Sequence, residues 1–153
     1  LHYHHYRKIF LYQKHLLWVA GLVCIPSKHL SFYILYVLTK REFNLPQHLV
    51  LESWVKCAVN IRNCLAHHAR IWNRNFPIMP QLNGSFRGNW IKNTNLSMVK
   101  LYPQLCYMQY MQAQIHGNND FKQKLKELLK NHPNVDITAM GFIDGWENES
   151  LWK

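Results

Sequence analysis

The apolar positions of the chain recur mostly at intervals of three and four residues, and no stretch shows a sustained two-residue alternation. Residues 5–24 predict a first apolar helix, which the segment CIPSK interrupts. Ser27 is placed to cap a second helix that runs to about Arg41. The pattern predicts an all-α protein, and the length of 153 residues fits a single domain over residues 1–153.

A helix start signal stands in the segment NLPQ. Asn44 is predicted to be the N-cap, with Pro46 near the first turn and Gln47 at the capping-box position. A long helix is predicted to follow and to end before Pro77. Residues 77–95 are rich in Pro, Gly and Asn, which predicts a long surface loop of the kind that is often functional or mobile.

The C-terminal part returns to a helical period at residues 95–116, where Pro103 either kinks the helix or starts a new one after a short turn. Asp120 is placed to cap the clearest helix of the chain, FKQKLKELLKNH. The apolar residues of that helix share one face: Phe121, Leu125, Leu128 and Leu129. The tail is predicted to pack over the core as an irregular strap through Phe142, Trp146 and Trp152.

Charge adds a functional expectation to this helical pattern. Eighteen Lys and Arg against eight Asp and Glu give a formal net charge of +10. Such an excess favours an anionic partner, with nucleic acid as the first candidate. A basic protein without a nucleic-acid partner remains the alternative, because net charge determines neither fold nor specificity.

Features that the sequence lacks lead to expectations about the location of the protein and about its cofactors. Cys24, Cys57, Cys64 and Cys106 form no Cys-x-x-Cys pair, which favours reduced thiols. The apolar stretches are shorter than the roughly 18 residues of a membrane span, and the N-terminus lacks a signal peptide, so a cytoplasmic protein is expected. The N-terminal HYHHY is a weak metal site, and few carboxylates are present to hold magnesium, so no metal or cofactor is expected.

Residues 54–74 separate into two faces at about 100° per residue. The polar face contains cations, amides and an imidazole but no carboxylate, whereas a solvated helix face usually pairs Lys or Arg with Glu or Asp. Such a face suits a phosphate backbone. The polar face comprises Lys56, Asn60, Asn63, His67, Arg70 and Arg74, and the apolar face comprises Trp54, Ala58, Ile61, Leu65 and Trp72, with His68 beside it.

Arg62 lies between the two faces. His67 follows five positions later, which separates the two side chains by about 140° on an ideal helix. They could meet at one phosphate if the arginine side chain curls around, if the helix is distorted, or if a second copy of the protein supplies part of the site.

The run WVKCAVNIRNCLAHHARIWNR resembles the central segment of Abi-like abortive-infection proteins, and Arg62-Asn63-x-x-x-His67 is similar to the signature of HEPN ribonucleases. The segments HLSFYILYVL and MGFIDGWENESLW resemble neighbouring parts of the same family. The resemblance implies a HEPN-like helical bundle. Members of the family are about twice as long, so it also implies that this chain is the C-terminal half of the usual architecture.

The resemblance further implies metal-independent RNA cleavage in the cytoplasm of a bacterium, as a defence against phage. Arg62 would stabilise the transition state, His67 would be the general base or acid, and Asn63 would orient His67. A homodimer is expected, because HEPN sites commonly pair across a two-fold interface. An antitoxin or regulatory RNA is a possible further partner.

The other polar residues of the segment carry open alternatives. Lys56, Asn60, Arg70 and Arg74 are candidates for RNA contact, although the arginines could also hold a dimer or cap the helix. Asn73 is a candidate for structural support. His68 is interpreted as a hydrogen-bonded core histidine, with a supporting role in the site as the alternative. For the whole protein, the alternative is a non-catalytic RNA-binding or toxin-like growth-arrest module.

Overall fold

The computed structural model describes residues 38–82, 84–93, 95–115 and 120–153. No β-strand occurs in these ranges, and the all-α prediction is confirmed. Most of the first two predicted helices, together with HYHHY and Cys24, lies outside the described residues. The described elements are a π-helical turn at Leu38–Glu42, helices α1 (His48–Ala66), α2 (Leu101–Ile115) and α3 (Phe121–Asn131), and 3₁₀ turns at Thr138–Met140 and Trp146–Asn148.

Helix α2 is the core of the described structure. Every residue from Leu101 to Met111 is buried, including the polar Gln104 and Gln109. A helix that is buried on all sides has no solvent-facing stripe and must be covered by other parts of the chain. Helices α1 and α3 both pack against it, and irregular segments provide further cover.

The start of α2 decides between the two alternatives at Pro103. The helix begins at Leu101, so the proline lies in its first turn rather than in the middle of a longer helix. Backbone N–H groups in a first turn have no partner within the helix, and a residue without an N–H costs little there.

The predicted N-cap of α1 is wrong by three residues. The helix begins at His48 with Gln47 at the N-cap. Asn44 instead adopts a left-handed conformation with φ of 49°, which asparagine tolerates better than most residues. Its Nδ2 donates to Oε1 of Gln114 at 3.0 Å, so it links the segment before α1 to the end of α2.

The predicted loop is longer than expected, and it covers the core. Irregular structure extends from the end of α1 to the start of α2. Its Phe86 and Trp90 stack on Trp54 of α1, with ring centroids 5.6 and 5.9 Å away. Trp54 also stacks on Tyr107 of α2 at 5.5 Å, and its Nε1 donates to the carbonyl oxygen of Gln81 at 2.8 Å. Trp54 therefore joins α1, α2 and the loop.

The C-terminal strap is confirmed. Phe142, Trp146 and Trp152 are buried, and the indole N–H of Trp152 donates to the hydroxyl of Tyr102 at 3.2 Å. The carboxylate of Glu149 accepts from the backbone N–H of Lys92 at 2.7 Å. The strap therefore covers α2 and holds the end of the long loop.

Helix α3 begins after Asp120 as predicted, but the Asp120 side chain forms an ion pair with Lys124 instead of capping the helix. The predicted apolar face is present. Of its residues only Leu125 is buried, while Phe121, Leu128 and Leu129 are half-buried. Helix α3 therefore closes only partly over the core.

Replacing Trp54 with Phe retains a ring but removes the hydrogen bond to Gln81 and part of the buried volume. We expect the free energy of unfolding to fall by about 1–3 kcal/mol, measured by urea denaturation followed by circular dichroism. Leu49 is 48% exposed, and Leu49→Ala on the same helix is expected to change the value by less than about 0.5 kcal/mol. An equal effect of the two changes would contradict the joining role of Trp54.

Candidate functional site

The residues of the Arg-Asn-x-x-x-His motif lie where α1 ends. The helix ends at Ala66, and His67 is its C-cap. The N–H of His68 donates to the carbonyl oxygen of Leu65 at 3.0 Å, and the N–H of Ala69 donates to that of Cys64 at 2.8 Å. This pair of bonds is a Schellman motif, in which the backbone itself caps the helix. The prediction that the helix continues almost to Pro77 is therefore wrong.

His68 occupies the position of the Schellman motif where glycine is usual. Its φ is 54°, in the left-handed region, which costs an L-residue roughly 1–2 kcal/mol. The residue is exposed, so its interpretation as a core histidine is wrong. The physical reason is that the chain leaves the helix at His67, and the helical projection that placed His68 beside the apolar face no longer applies.

The early helix end also divides the predicted polar face. Arg70, Asn73 and Arg74 lie on irregular chain rather than on α1. Asn73 adopts a second left-handed conformation, with φ of 47°, and its Oδ1 accepts from Nζ of Lys100 at 3.3 Å. This contact fits the structural role considered for Asn73.

Three residues of the predicted polar face remain on α1 at their helical spacing, Lys56, Asn60 and Asn63, and His67 follows as the C-cap. At the N-terminal end of this face, Nζ of Lys56 pairs with Oε1 of Glu52 at 2.6 Å. The carboxylate-free character of the face therefore does not extend to its first residue. Both side chains of the pair are largely exposed, and an exposed pair of this kind contributes little stability.

The structure brings Arg62 and Asn63 together. Nη1 of Arg62 donates to Oδ1 of Asn63 at 3.0 Å, and both residues are exposed. The backbone carbonyl of Asn63 accepts from the N–H of His67 at 3.0 Å. Within the described ranges, no hydrogen bond joins the His67 ring to Arg62 or to the Asn63 amide. The Asn63 side chain thus holds the arginine, while its backbone holds the histidine.

Arg70 and Trp72 form a second cationic feature directly after the motif. The guanidinium carbon of Arg70 lies 6.0 Å from the centre of the Trp72 ring, at the outer limit of a cation–π contact. Arg70 is exposed and Trp72 is half-buried. Arg74, two residues further on, is also half-buried.

The cysteines near the site are not suited to nucleophilic chemistry. Cys57, Cys64 and Cys106 are buried free thiols. Desolvation by burial raises the pKa of Cys57 to about 12, although a hydrogen bond from Gln104 opposes the rise. Burial likewise raises the pKa of Cys106 far above its ordinary value. At neutral pH both thiols are protonated, whereas the reactive form of cysteine is the thiolate.

Two kinds of feature are absent from the described part of the chain. No group of three or more His, Cys, Asp or Glu side chains is placed to hold a metal ion. None of the described helices is both long and apolar enough to span a lipid bilayer.

Sequence reasoning missed a cavity of about 610 Å³ that opens beside His68. Leucines of α3 line it together with the segment that follows α1. The sequence did contain a signal for it: the apolar face of α3 carries four residues, and the helix buries only one of them, Leu125. Sequence alone could not show that this surplus face meets the end of α1, because the two segments are far apart along the chain.

Comparison with known proteins connects part of the chain to a family. Residues 25–73, which include α1 and the whole Arg-Asn-x-x-x-His motif, match the Abi-like protein family. This match confirms the resemblance to Abi-like proteins. No curated protein and no solved structure matches the chain.

Because His68 is held in a left-handed conformation, His68→Gly is expected to stabilise the protein. We expect a gain of about 0.5–1 kcal/mol in the free energy of unfolding, measured by urea denaturation. The matched control is His67→Gly, where φ is −90° and glycine brings no conformational relief, so a loss is expected. A loss of stability in both variants would contradict the proposed strain at His68.

Proposed function

We propose that this protein is a metal-independent endoribonuclease of phage defence. Residues 25–73 match the Abi-like family, and that family points to abortive infection. In abortive infection, an infected bacterium halts its own growth and so limits the phage. The observation that carries the proposal is the placement of Arg62 and His67. Both are exposed at the capped end of α1, within the segment that matches the family.

The proposed reaction needs only groups that this end of α1 carries. His67 accepts the proton of a ribose 2′-OH, and the 2′-oxygen attacks the adjacent phosphorus. The bond from phosphorus to the 5′-oxygen breaks, and that oxygen takes up a proton, from a histidine or from water. Arg62 stabilises the negative charge that builds on the phosphate oxygens. The products are a 2′,3′-cyclic phosphate and a 5′-hydroxyl.

The positions of Arg62 and His67 favour a site shared between two copies of the chain. His67 retains helical register through its hydrogen bond to Asn63, so the separation of about 140° from Arg62 persists. Arg62 is also held by the Asn63 amide on its own side of the helix. A homodimer in which Arg62 of one copy and His67 of the other act on one phosphate would resolve this separation.

RNA contacts are proposed on both sides of the motif. Asn60 of α1 can donate to a phosphate, and Lys56 can exchange its exposed pairing with Glu52 for a phosphate oxygen. Arg70 and Arg74 would approach the same strand from the irregular chain after the helix. The expected setting is the bacterial cytoplasm, where an antitoxin or regulatory RNA could restrain the activity.

A non-catalytic RNA-binding or growth-arrest module is the second candidate. It is favoured by the absence of any hydrogen bond between Arg62 and the His67 ring in the described part of one chain. A basic surface of this kind can bind phosphates without cleaving them.

His67→Ala tests the enzyme. We expect the rate of RNA cleavage to fall at least 100-fold, because general acid–base catalysis contributes about 10²–10⁴-fold. RNA affinity should change less than about twofold, since electrostatic contacts dominate binding. The measurements are single-turnover cleavage of a labelled RNA, detection of the cyclic phosphate, and fluorescence anisotropy. Chelation of divalent metals should leave the rate unchanged.

The matched control is His48→Ala, which removes an exposed histidine from the opposite end of the same helix. It is expected to cleave like the wild-type protein. Equal cleavage by His67→Ala would sink the enzyme proposal. Strong, salt-dependent binding by a wild-type protein that does not cleave RNA would favour the second candidate.

A further inference from the structure

The cavity beside His68 is formed by parts of the chain that are distant in sequence. One side comes from the end of α1 and the residues that follow it, and another comes from α3 and the turn after it. Leu101 and Leu105 of α2, with Met140 and Phe142, complete the lining. Its volume of about 610 Å³ lies within the range of pockets that bind small organic molecules.

The lining combines an apolar interior with a few polar side chains, which is the composition of a ligand pocket. Leucines from α1, α2 and α3 supply about half of the apolar lining residues. The polar part of the lining includes one cation, Arg70, one carboxylate, Asp136, and the imidazoles of His68 and His132, which can donate hydrogen bonds. Arginine and imidazole donors beside an apolar wall suit a ligand that joins a flat apolar part to a negative charge, as a nucleotide does.

Arg70 and Trp72 provide a place for each part of such a ligand. Trp72 lines the cavity and is half-buried, and the Arg70 guanidinium lies 6.0 Å from the centre of its ring. Aromatic side chains are the usual stacking platforms for unpaired bases, and arginine is a usual partner of phosphate. A base against Trp72 would therefore place its phosphate within reach of Arg70.

Asp136 supplies a fixed hydrogen-bond acceptor at the same cavity. Its Oδ1 accepts from the hydroxyl of Thr138 at 2.6 Å and from the backbone N–H groups of Thr138 and Ala139 at 3.0 and 3.2 Å. These bonds, the Thr138 hydroxyl first, lower the pKa of Asp136. The carboxylate is thus ionised at neutral pH and can accept from an amino group of a base.

The cavity adjoins the proposed catalytic end of α1 along the backbone. His68 lines the cavity and directly follows His67, so their Cα atoms are about 3.8 Å apart. The left-handed turn at His68 directs the following residues, Ala69 to Trp72, along the cavity. One short segment therefore carries both the proposed acid or base and the wall of the pocket.

We propose that this cavity binds one unpaired base of a single-stranded RNA, next to the phosphate held at Arg62 and His67. The base stacks on Trp72 among the leucines of α3, and Arg70 contacts the backbone phosphate. This inference rests on the proposed function for the identity of the ligand, and it adds a preference for single strands and for bases.

The test measures binding separately from cleavage. A short single-stranded RNA that carries one 2-aminopurine is compared with a duplex and with an abasic strand of equal length, on full-length His67→Ala protein. The single strand is expected to bind about tenfold more tightly than the abasic strand, and the 2-aminopurine fluorescence to be quenched by stacking. The same comparison is made on the wild-type protein with 2′-deoxy strands, which lack the attacking 2′-OH. It checks that the His67→Ala change has not itself altered binding.

Two variants locate the effect in the cavity. Trp72→Leu removes the stacking ring and is expected to weaken single-strand binding about tenfold and to abolish quenching, while Trp72→Phe retains most of both. Leu128→Trp fills the cavity from α3 and is expected to cause the same loss. Leu49→Trp, which adds the same side chain at an exposed position, is the matched control. Thermal unfolding shows that each variant is folded.

Unchanged binding and quenching in folded Trp72→Leu and Leu128→Trp would overturn the proposal, even if the protein cleaves RNA. Equal affinity of the wild-type protein for abasic and base-containing strands would overturn it as well. A Leu128→Trp variant that becomes monomeric without altered base preference would instead assign the cavity to contact between copies. A protein that discriminates bases through Trp72 but does not cleave would support the cavity and contradict only the enzyme.

Discussion

The burial of α2 on all sides from Leu101 to Met111 is the constraint on which the rest of the described structure depends. Eleven consecutive residues without a solvent-facing side require cover in every direction, and α1 and α3 provide only part of it. The long loop and the C-terminal strap provide more, with aromatic rings that bury much apolar area per residue. Burial also imposes polar demands. Nε2 of Gln104 donates to the carbonyl oxygen of Ile78 in the loop at 3.2 Å, which offsets part of the cost of burying this amide.

The candidate site follows from the way the chain must leave α1 to meet this demand. After Ala66 the chain turns through the left-handed residue His68 and begins the irregular segment, whose Phe76 is buried. The Arg-Asn-x-x-x-His residues consequently lie at an exposed, rigidly capped helix end rather than in the middle of a helix. Helix α3 buries only Leu125 of its apolar face, and the incompletely covered leucines line a cavity next to that end. Covering α2 thus determines both features that the function proposals use.

Local sequence signals were sufficient for several elements. The apolar spacing of α3 agrees with the structure, since it depends on helical period within a few residues. The aromatic residues of the strap are also buried as their type indicates, although their partners lie far away along the chain. For Pro103 the sequence left a kink and a helix start open, and the structure places it in the first turn of α2. The apolar edge of α1 through Trp54, Ala58 and Ile61 is buried as its helical period indicates. The Arg62, Asn63 and His67 motif could also be singled out from sequence, because residue types and their spacing define it.

By itself, then, the sequence determined the all-α class, the apolar faces of α1 and α3 and the residues that could carry chemistry. Only the tertiary structure decided where α1 ends. No glycine or proline lies between Asn63 and Trp72 to predict a stop, and the cost of a left-handed His68 is tolerated because the following chain packs over α2. It likewise decided that Asn63 holds Arg62, that His68 is exposed, and that α3 and the end of α1 line one cavity. These outcomes depend on packing between segments that are distant along the chain, which no local pattern of residues contains.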